Sequence, residues 1–129
     1  MIEIAGGVGA PARARRWVLS YLASEPIVAS EADVVLIVSE LVTNSVMHAH
    51  ADSSQLLRIS LGRHGDRFRI AVTDNGSATV PHLRDADNGT PGGLGLRIID
   101  RICLGWGVVR NRTGTTEVWC EAPLGRALT

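Results

Sequence analysis

The chain has 129 residues, 45% of them hydrophobic and 20% charged, with a formal net charge of zero. That is one domain's worth of sequence, able to bury a core without disulfides or metal, and its charge balance excludes the basic footprint of a nucleic-acid binder or of a protein held on an anionic membrane. All 13 Lys/Arg positions are arginine, and a chain without lysine excludes the P-loop, the kinase strand lysine and Schiff-base chemistry.

In chain order, Ile2 to Ala5 reads as a short strand that enters a glycine-rich bend, Gly6-Gly7-Val8-Gly9. Helical spacing of Trp17, Val18, Tyr21 and Leu22 predicts a helix over Ala12 to Ala23. Ser24-Glu25-Pro26 closes it, because proline disfavours helix in the residue before it. Ser30, with Asp33 three residues on, resembles a capping box and opens a long helix to about Ala49. Gln55 to Leu61 and Arg67 to Thr73 alternate as strands around Gly62-Arg63-His64-Gly65-Asp66, a predicted hairpin. Asn75 to Gly93 holds two prolines, four glycines, two Asn and two Asp in nineteen residues. Loops of that length inside a small domain are either functional lids or disordered. Leu94 to Leu104 reads as a helix, with Trp106 to Arg110 and Thr116 to Ala122 as closing strands around Asn111-Arg112-Thr113-Gly114. The expected fold class is α+β: a two-layer sandwich, its antiparallel or mixed sheet covered on one face by helices, in one domain spanning residues 1–129.

Cys103 and Cys120 stand seventeen apart in apolar contexts and form no CxxC pair, so both are read as small buried hydrophobes. The segment Met1-Ile2-Glu3-Ile4 lacks a basic, then apolar, leader pattern. No stretch approaches the ~20 apolar residues of a membrane span. A soluble, cytoplasmic protein is expected.

Three signals carry candidate chemistry. The long helix is apolar around most of its circumference, from Val34 to Met47, yet Glu40, Asn44 and His48 recur at i, i+4 and i+8 along one face. A buried carboxylate and amide cost several kcal/mol unless something satisfies them; a cation with an anionic ligand does so, and so does solvent on an exposed stripe. The second signal is Val72-Thr73-Asp74-Asn75-Gly76, an alternating strand that ends in an acceptor-only carboxylate and a turn. The third is Gly92-Gly93-Leu94-Gly95-Leu96, running from the loop into a helix. Glycines before a helix N-terminus let backbone N–H groups approach a phosphate; a flexible hinge fits the same composition.

In order and spacing, these segments resemble the GHKL ATPases of the Bergerat-fold superfamily, which includes gyrase and the histidine kinases. Glu40-Leu-Val-Thr-Asn44-Ser-Val-Met-His48 looks like the N box, Asp74-Asn-Gly76 the first glycine box, Gly93-Leu-Gly95-Leu96 the second, and Gly114-Thr-Thr116 the threonine-containing last box. The resemblance spans nearly the whole chain and is closest to the anti-sigma-factor serine kinases. It implies ATP with Mg²⁺ as ligands. Asn44 would offer the cation a neutral oxygen, and Asp74 would accept from the adenine amine and repel the guanine carbonyl. Thr116 would hold a water beside that ring edge. Gly93 and Gly95 would supply the phosphate cradle in place of a lysine, and Gly76, Gly92, Leu94 and Leu96 would also bind the nucleotide. Glu40 would take a proton from the attacking hydroxyl or water. His48 fits a basic residue near phosphate or a satisfied structural histidine. Two positions depart from the pattern: Ala78 stands where the first glycine box has its second glycine, and Pro91 precedes Gly92.

Other motifs resolve less. Gly7-Val-Gly9-Ala-Pro-Ala12 mimics a dinucleotide fingerprint, but a helix follows where the second parallel strand is required. His48 and His50, at i and i+2, do not face one metal. Arg13, Arg15 and Arg16 read as a solvated helix face or a partner surface. The resemblance implies a kinase that phosphorylates a serine on an anti-anti-sigma (STAS-domain) partner and sequesters a sigma factor, itself compatible with a homodimer. A non-enzymatic ATP-dependent switch and a histidine-kinase catalytic module are the alternatives. Glu40 favours the kinase, because a pure binder has no use for a base there. No phosphoacceptor helix pair precedes the N box, which disfavours the histidine-kinase module.

Overall fold

In the computed structural model, which describes residues 1–24, 30–48, 55–74 and 99–124, every strand expected from the alternation pattern forms. The elements are β1 (Ile2–Ala5), α1 (Ala10–Ser24), α2 (Glu31–His48), β2 (Leu56–His64), β3 (Arg67–Asp74), β4 (Gly105–Arg110) and β5 (Thr116–Pro123). The strands make one sheet in the order β1-β2-β3-β5-β4, with all four neighbouring pairs antiparallel. Helices over one face of this sheet make the expected α+β sandwich.

Helix starts follow local chemistry. The Ser30 hydroxyl accepts from the Asp33 N–H at 3.3 Å, and the Ser30 carbonyl accepts from the Val34 N–H at 2.9 Å. Glu31 and Asp33 add negative charge to the first turn of α2, where the helix dipole favours it. α1 begins two residues earlier than expected. Its first turn is closed by the Arg13 N–H donating to the Gly9 carbonyl at 3.1 Å, and Pro11 sits where a missing N–H costs nothing. The Arg13 side chain is not solvated: it donates to the carbonyls of Ala5 and Gly6 at 2.9 and 3.2 Å, tying the bend to the helix. Arg15 reaches the Ser39 hydroxyl on α2 at 3.1 Å.

The β2–β3 hairpin is tighter than expected. Register pairs persist through Gly62↔Arg69 to His64↔Arg67, which leaves Gly65-Asp66 as a two-residue loop. Gly65 has φ +67°, a left-handed conformation that glycine adopts without a Cβ penalty. Alternation places Ile4, Leu57, Ile59, Phe68, Ile70, Val72, Val118, Cys120 and Ala122 on the helix-covered face. Ala14 and Val18 of α1 and Val34, Ile37, Val38 and Leu41 of α2 complete one core.

The cysteines correct the sequence reading. Cys103, just after the helical turn at residues 99–102, is disulfide-bonded to Cys120 of β5, with Cα atoms 6.3 Å apart. Their separation of 17 residues carries no local signature; only the sheet register brings Cys120 under the returning chain. Among the described residues no helix is long and apolar enough to cross a membrane.

Candidate functional site

α2 packs over β3 and β5, and its buried positions explain why it is so apolar. Among its described side chains only Glu31, Ala32 and Met47 are exposed. Asn44 is therefore not on a solvated stripe. It is 2% exposed, and neither its amide nitrogen nor its oxygen has a hydrogen-bond partner among the described residues. One turn earlier, Glu40 is partly buried, and burial pushes its carboxyl above the ordinary value of 4.5. Desolvation disfavours the charged form, which makes such a group a better proton acceptor once it is ionised.

Asp74 and Thr116 form the second half of the site. They are direct partners in the β3–β5 register, both on the helix-covered face, and 6% and 3% exposed. The Thr116 hydroxyl has no partner among the described residues. In the next strand Arg110 stands opposite Thr116, so a carboxylate, a hydroxyl and a guanidinium lie in one row across β3, β5 and β4. The turn that presents this row is locally fixed. The Asn111 N–H donates to the Thr115 carbonyl and the Asn111 amide to the Thr115 hydroxyl, each at 2.8 Å, and Gly114 takes φ +92°.

Each unpartnered buried polar group costs about 1–3 kcal/mol, so native proteins rarely keep them without a ligand or water to satisfy them. Among the described residues there are four such atoms: two on Asn44, one on Thr116 and the hydroxyl of Ser45. This donor set fits Mg²⁺ and a purine. An amide oxygen is a hard ligand suited to that cation, and a hydroxyl beside a carboxylate reads a ring edge that carries both a donor and an acceptor.

Sequence reasoning missed two residues. Ser45 is a buried hydroxyl one turn beyond Leu41 on the core side of α2; its only signal is a polar residue amid an apolar run. Arg110 needs the strand order before it joins the row. The remaining expected site residues, namely the His48 side chain and Gly76, Gly92, Gly93, Leu94, Gly95 and Leu96, lie outside the described residues, as do Ala78 and Pro91.

A separate polar cavity of about 680 Å³ touches Asp74 from the opposite face, lined by Glu3, Arg58, Ser60, Thr73, Thr115 and Glu117 among others. Glu40, Asn44 and Thr116 do not line it, so it is not the same site.

Comparison with known proteins gives the family and the fold. The family model described as "Histidine kinase-like ATPase domain" matches residues 9–120. The Blue-light-activated histidine kinase 2 of Erythrobacter litoralis (strain HTCC2594) is 36% identical over 101 residues, which cover 73% of this chain and 28% of that one. Among solved structures, the RsbU and RsbW domains of Rv1364c from Mycobacterium tuberculosis match with a TM-score of 0.63 at 21% identity. That match covers 97% of this chain and 32% of the other. The chain thus spans about a third or less of the length of both proteins.

Proposed function

The chain belongs to the histidine kinase-like ATPase domain family, and from that premise we propose that it is an ATP- and Mg²⁺-dependent protein serine kinase acting on a STAS-type anti-anti-sigma partner, and that it also sequesters a sigma factor. The observation that carries the nucleotide half is Asn44, buried at 2% exposure with both polar atoms unpartnered, one turn from a partly buried carboxylate. Such an arrangement is costly in the free protein and is offset when ligand fills it.

Bound Mg²⁺ would neutralise charge on the phosphates of ATP. Asn44 supplies its protein oxygen. Asp74 accepts from the adenine amine, and Thr116 positions a water at the same edge. On this reading Gly93 and Gly95 would supply the phosphate cradle, Gly76, Gly92, Leu94 and Leu96 would also bind the nucleotide, and His48 would be a basic group for the phosphates. Glu40 takes the proton of the partner's serine hydroxyl as that oxygen bonds to the γ-phosphorus. The bond from the γ-phosphorus to the bridging oxygen breaks, ADP leaves, and the partner keeps the phosphoryl group.

A second reading, a catalytic module of a histidine kinase, draws on the 36% identity to a protein of that name. The two readings differ in acceptor chemistry. A phosphoserine product survives acid, and a phosphohistidine does not. Incubating the chain with γ-labelled ATP and a STAS-domain protein should yield acid-stable label on the partner; acid-labile label would favour the second reading. A chain that binds both ATP and that partner but moves no label would be a nucleotide-dependent switch instead. Thermal titration tests binding itself: ATP and ADP should raise the melting temperature, by mass action worth about 2.7 kcal/mol at a hundredfold excess over Kd, and GTP should not. Asp74→Asn should erase that preference, because it replaces an acceptor by a mixed donor and acceptor.

A further inference from the structure

Cys103 and Cys120 are the chain's two cysteines, and they meet where the chain rejoins the sheet before β4. Two observations separate this pair from a staple that the fold requires. The neighbourhood is held by other contacts: Ile99 is buried in the core, the Leu104 N–H donates to the Glu121 carbonyl at 2.7 Å, and Trp106 Nε1 donates to Asp100 Oδ1 at 3.3 Å. The two residues also differ in access. Cys120 is fully buried, whereas Cys103 is only partly buried and lies beside exposed Leu104. Exchange begins when a thiolate attacks a sulfur it can reach, so here it has one point of entry. Disulfides that form and break on demand are of this kind, dispensable to the core and accessible at one end.

We propose that Cys103–Cys120 is a reversible thiol–disulfide site that exchanges with low-molecular-weight thiols and disulfides, and that its state sets nucleotide affinity. The coupling half rests on the nucleotide reading above. In oxidation, the Cys103 thiolate attacks a small disulfide RSSR, forming a mixed disulfide and releasing RS⁻. The Cys120 thiolate then attacks the Cys103 sulfur and expels the second RS⁻. Two electrons pass from the protein to RSSR, and the two thiol protons end on two RSH. Reduction runs the same steps backward from attack at Cys103.

Connectivity supplies the coupling. Ile99 follows three residues after Leu96, the end of the glycine run, and Cys120 lies on the strand that carries Thr116. The closed bond restricts the junction before any ligand arrives, so less freedom is lost when nucleotide binds. The oxidised form is the tighter binder.

The test uses the full chain equilibrated at a series of glutathione to glutathione-disulfide ratios. Free thiols are counted by alkylation and mass, and ADP affinity is measured by calorimetry in each state. The expected result is a thiol count that moves from two to zero across the series, with ADP bound about fivefold or more tightly in the oxidised form. Cys103→Ser and Cys120→Ala should each keep the reduced-form affinity in every buffer. Cys103→Ser, at the partly exposed position, serves if the buried substitution prevents folding. Equal ADP affinity in the two forms overturns the coupling. A bond that never forms, or that resists reduction until the protein unfolds, overturns the exchange site. A chain that binds ADP in neither state refutes the nucleotide reading and takes the coupling with it, while the thiol count still reports on the exchange.

Discussion

Thr116 and Glu121 lie five residues apart on β5, on opposite faces of the sheet, and both are buried, at 3% and 8% exposure. Glu121 has every partner it needs. Arg67 and Arg69 donate to its two oxygens at 3.2 and 3.3 Å, and His64 stands 3.8 Å away. The same face is finished by Arg69 stacked on Trp119 at 4.5 Å, with the indole lying so close over Gly107 that a Cβ there would sit 3.0 Å from its ring atoms. Thr116 has no hydroxyl partner among the described residues, and Asn44, on the helix above its face, has none for either polar atom. One strand thus carries a polar group satisfied by its own fold and another that has no partner among the described residues. Burial alone does not mark a binding site; burial without partners does.

Four substitutions break this comparison at different depths, and the deepest is chemical. Glu40→Gln keeps shape and hydrogen bonding but removes the proton acceptor. General-base catalysis contributes about 10²–10⁴-fold, so single-turnover transfer from labelled ATP should fall by that order while ADP affinity holds. Transfer at the wild-type rate would remove Glu40 from the reaction.

Next in size is a pair of matched substitutions that should move stability in opposite directions. Glu121→Leu strips two arginines of their shared carboxylate. Breaking a buried pair costs about 3–5 kcal/mol, and because Arg67 and Arg69 are 43% and 31% exposed, solvent screening brings the expected loss to about 1–2 kcal/mol. Asn44→Leu keeps the branching but deletes two unpartnered polar atoms, so the free protein should be as stable as wild type or up to about 2 kcal/mol more stable. Its Mg²⁺-dependent nucleotide binding should disappear. Urea melts of the two variants decide the matter: a large loss for Asn44→Leu would mean that the amide is satisfied in the free protein. Thr116→Val is the milder version. It should change stability by less than about 1 kcal/mol and weaken ATP binding by the worth of one hydrogen bond, about 0.5–1.5 kcal/mol.

Much of this was legible in the residues. Period-two alternation locates the five described strands, and period 3.6 locates both described helices, because burial on one face writes itself into sequence directly. Misplaced details were those that depend on partners far away in the chain. Gly62-Arg63-His64 looks like turn and is strand, because Arg69 and Phe68 across the hairpin keep pairing with it. Arg13 looks solvated and is bound to carbonyls at the end of β1. Cys103 and Cys120 look like unpaired apolar fillers and are bonded. The site split the same way. Glu40 and Asn44 are one turn apart on one helix, a spacing the sequence displays. Spacing alone fits a solvated stripe as well, and it is the resemblance to the N box that singles them out. That Asp74 faces Thr116, with Arg110 beyond it, is a property of strand register, and only the fold displays it.

The smallest expected effect isolates Glu40 without reference to any partner protein. Burial raises its carboxyl above 4.5, so the folded chain holds this proton to a higher pH than the unfolded chain does. Below the unfolded value the group is neutral in both states, and its contribution to stability is fully present. As pH rises through the folded-state value the buried group must ionise, and that contribution is lost. Replacing it by a neutral amide removes the term. Stability of wild type relative to Glu40→Gln should therefore decline as pH rises above about 4.5 and level off above the folded value. Phosphoryl transfer should run the other way over the same window, rising with pH as the base becomes ionised. Denaturant melts of both proteins at intervals from about pH 4 to about pH 8 read the first trend, and a pH–rate profile reads the second. A stability difference that is flat over that range would place Glu40 in water, as a carboxylate that solvent satisfies and burial does not perturb.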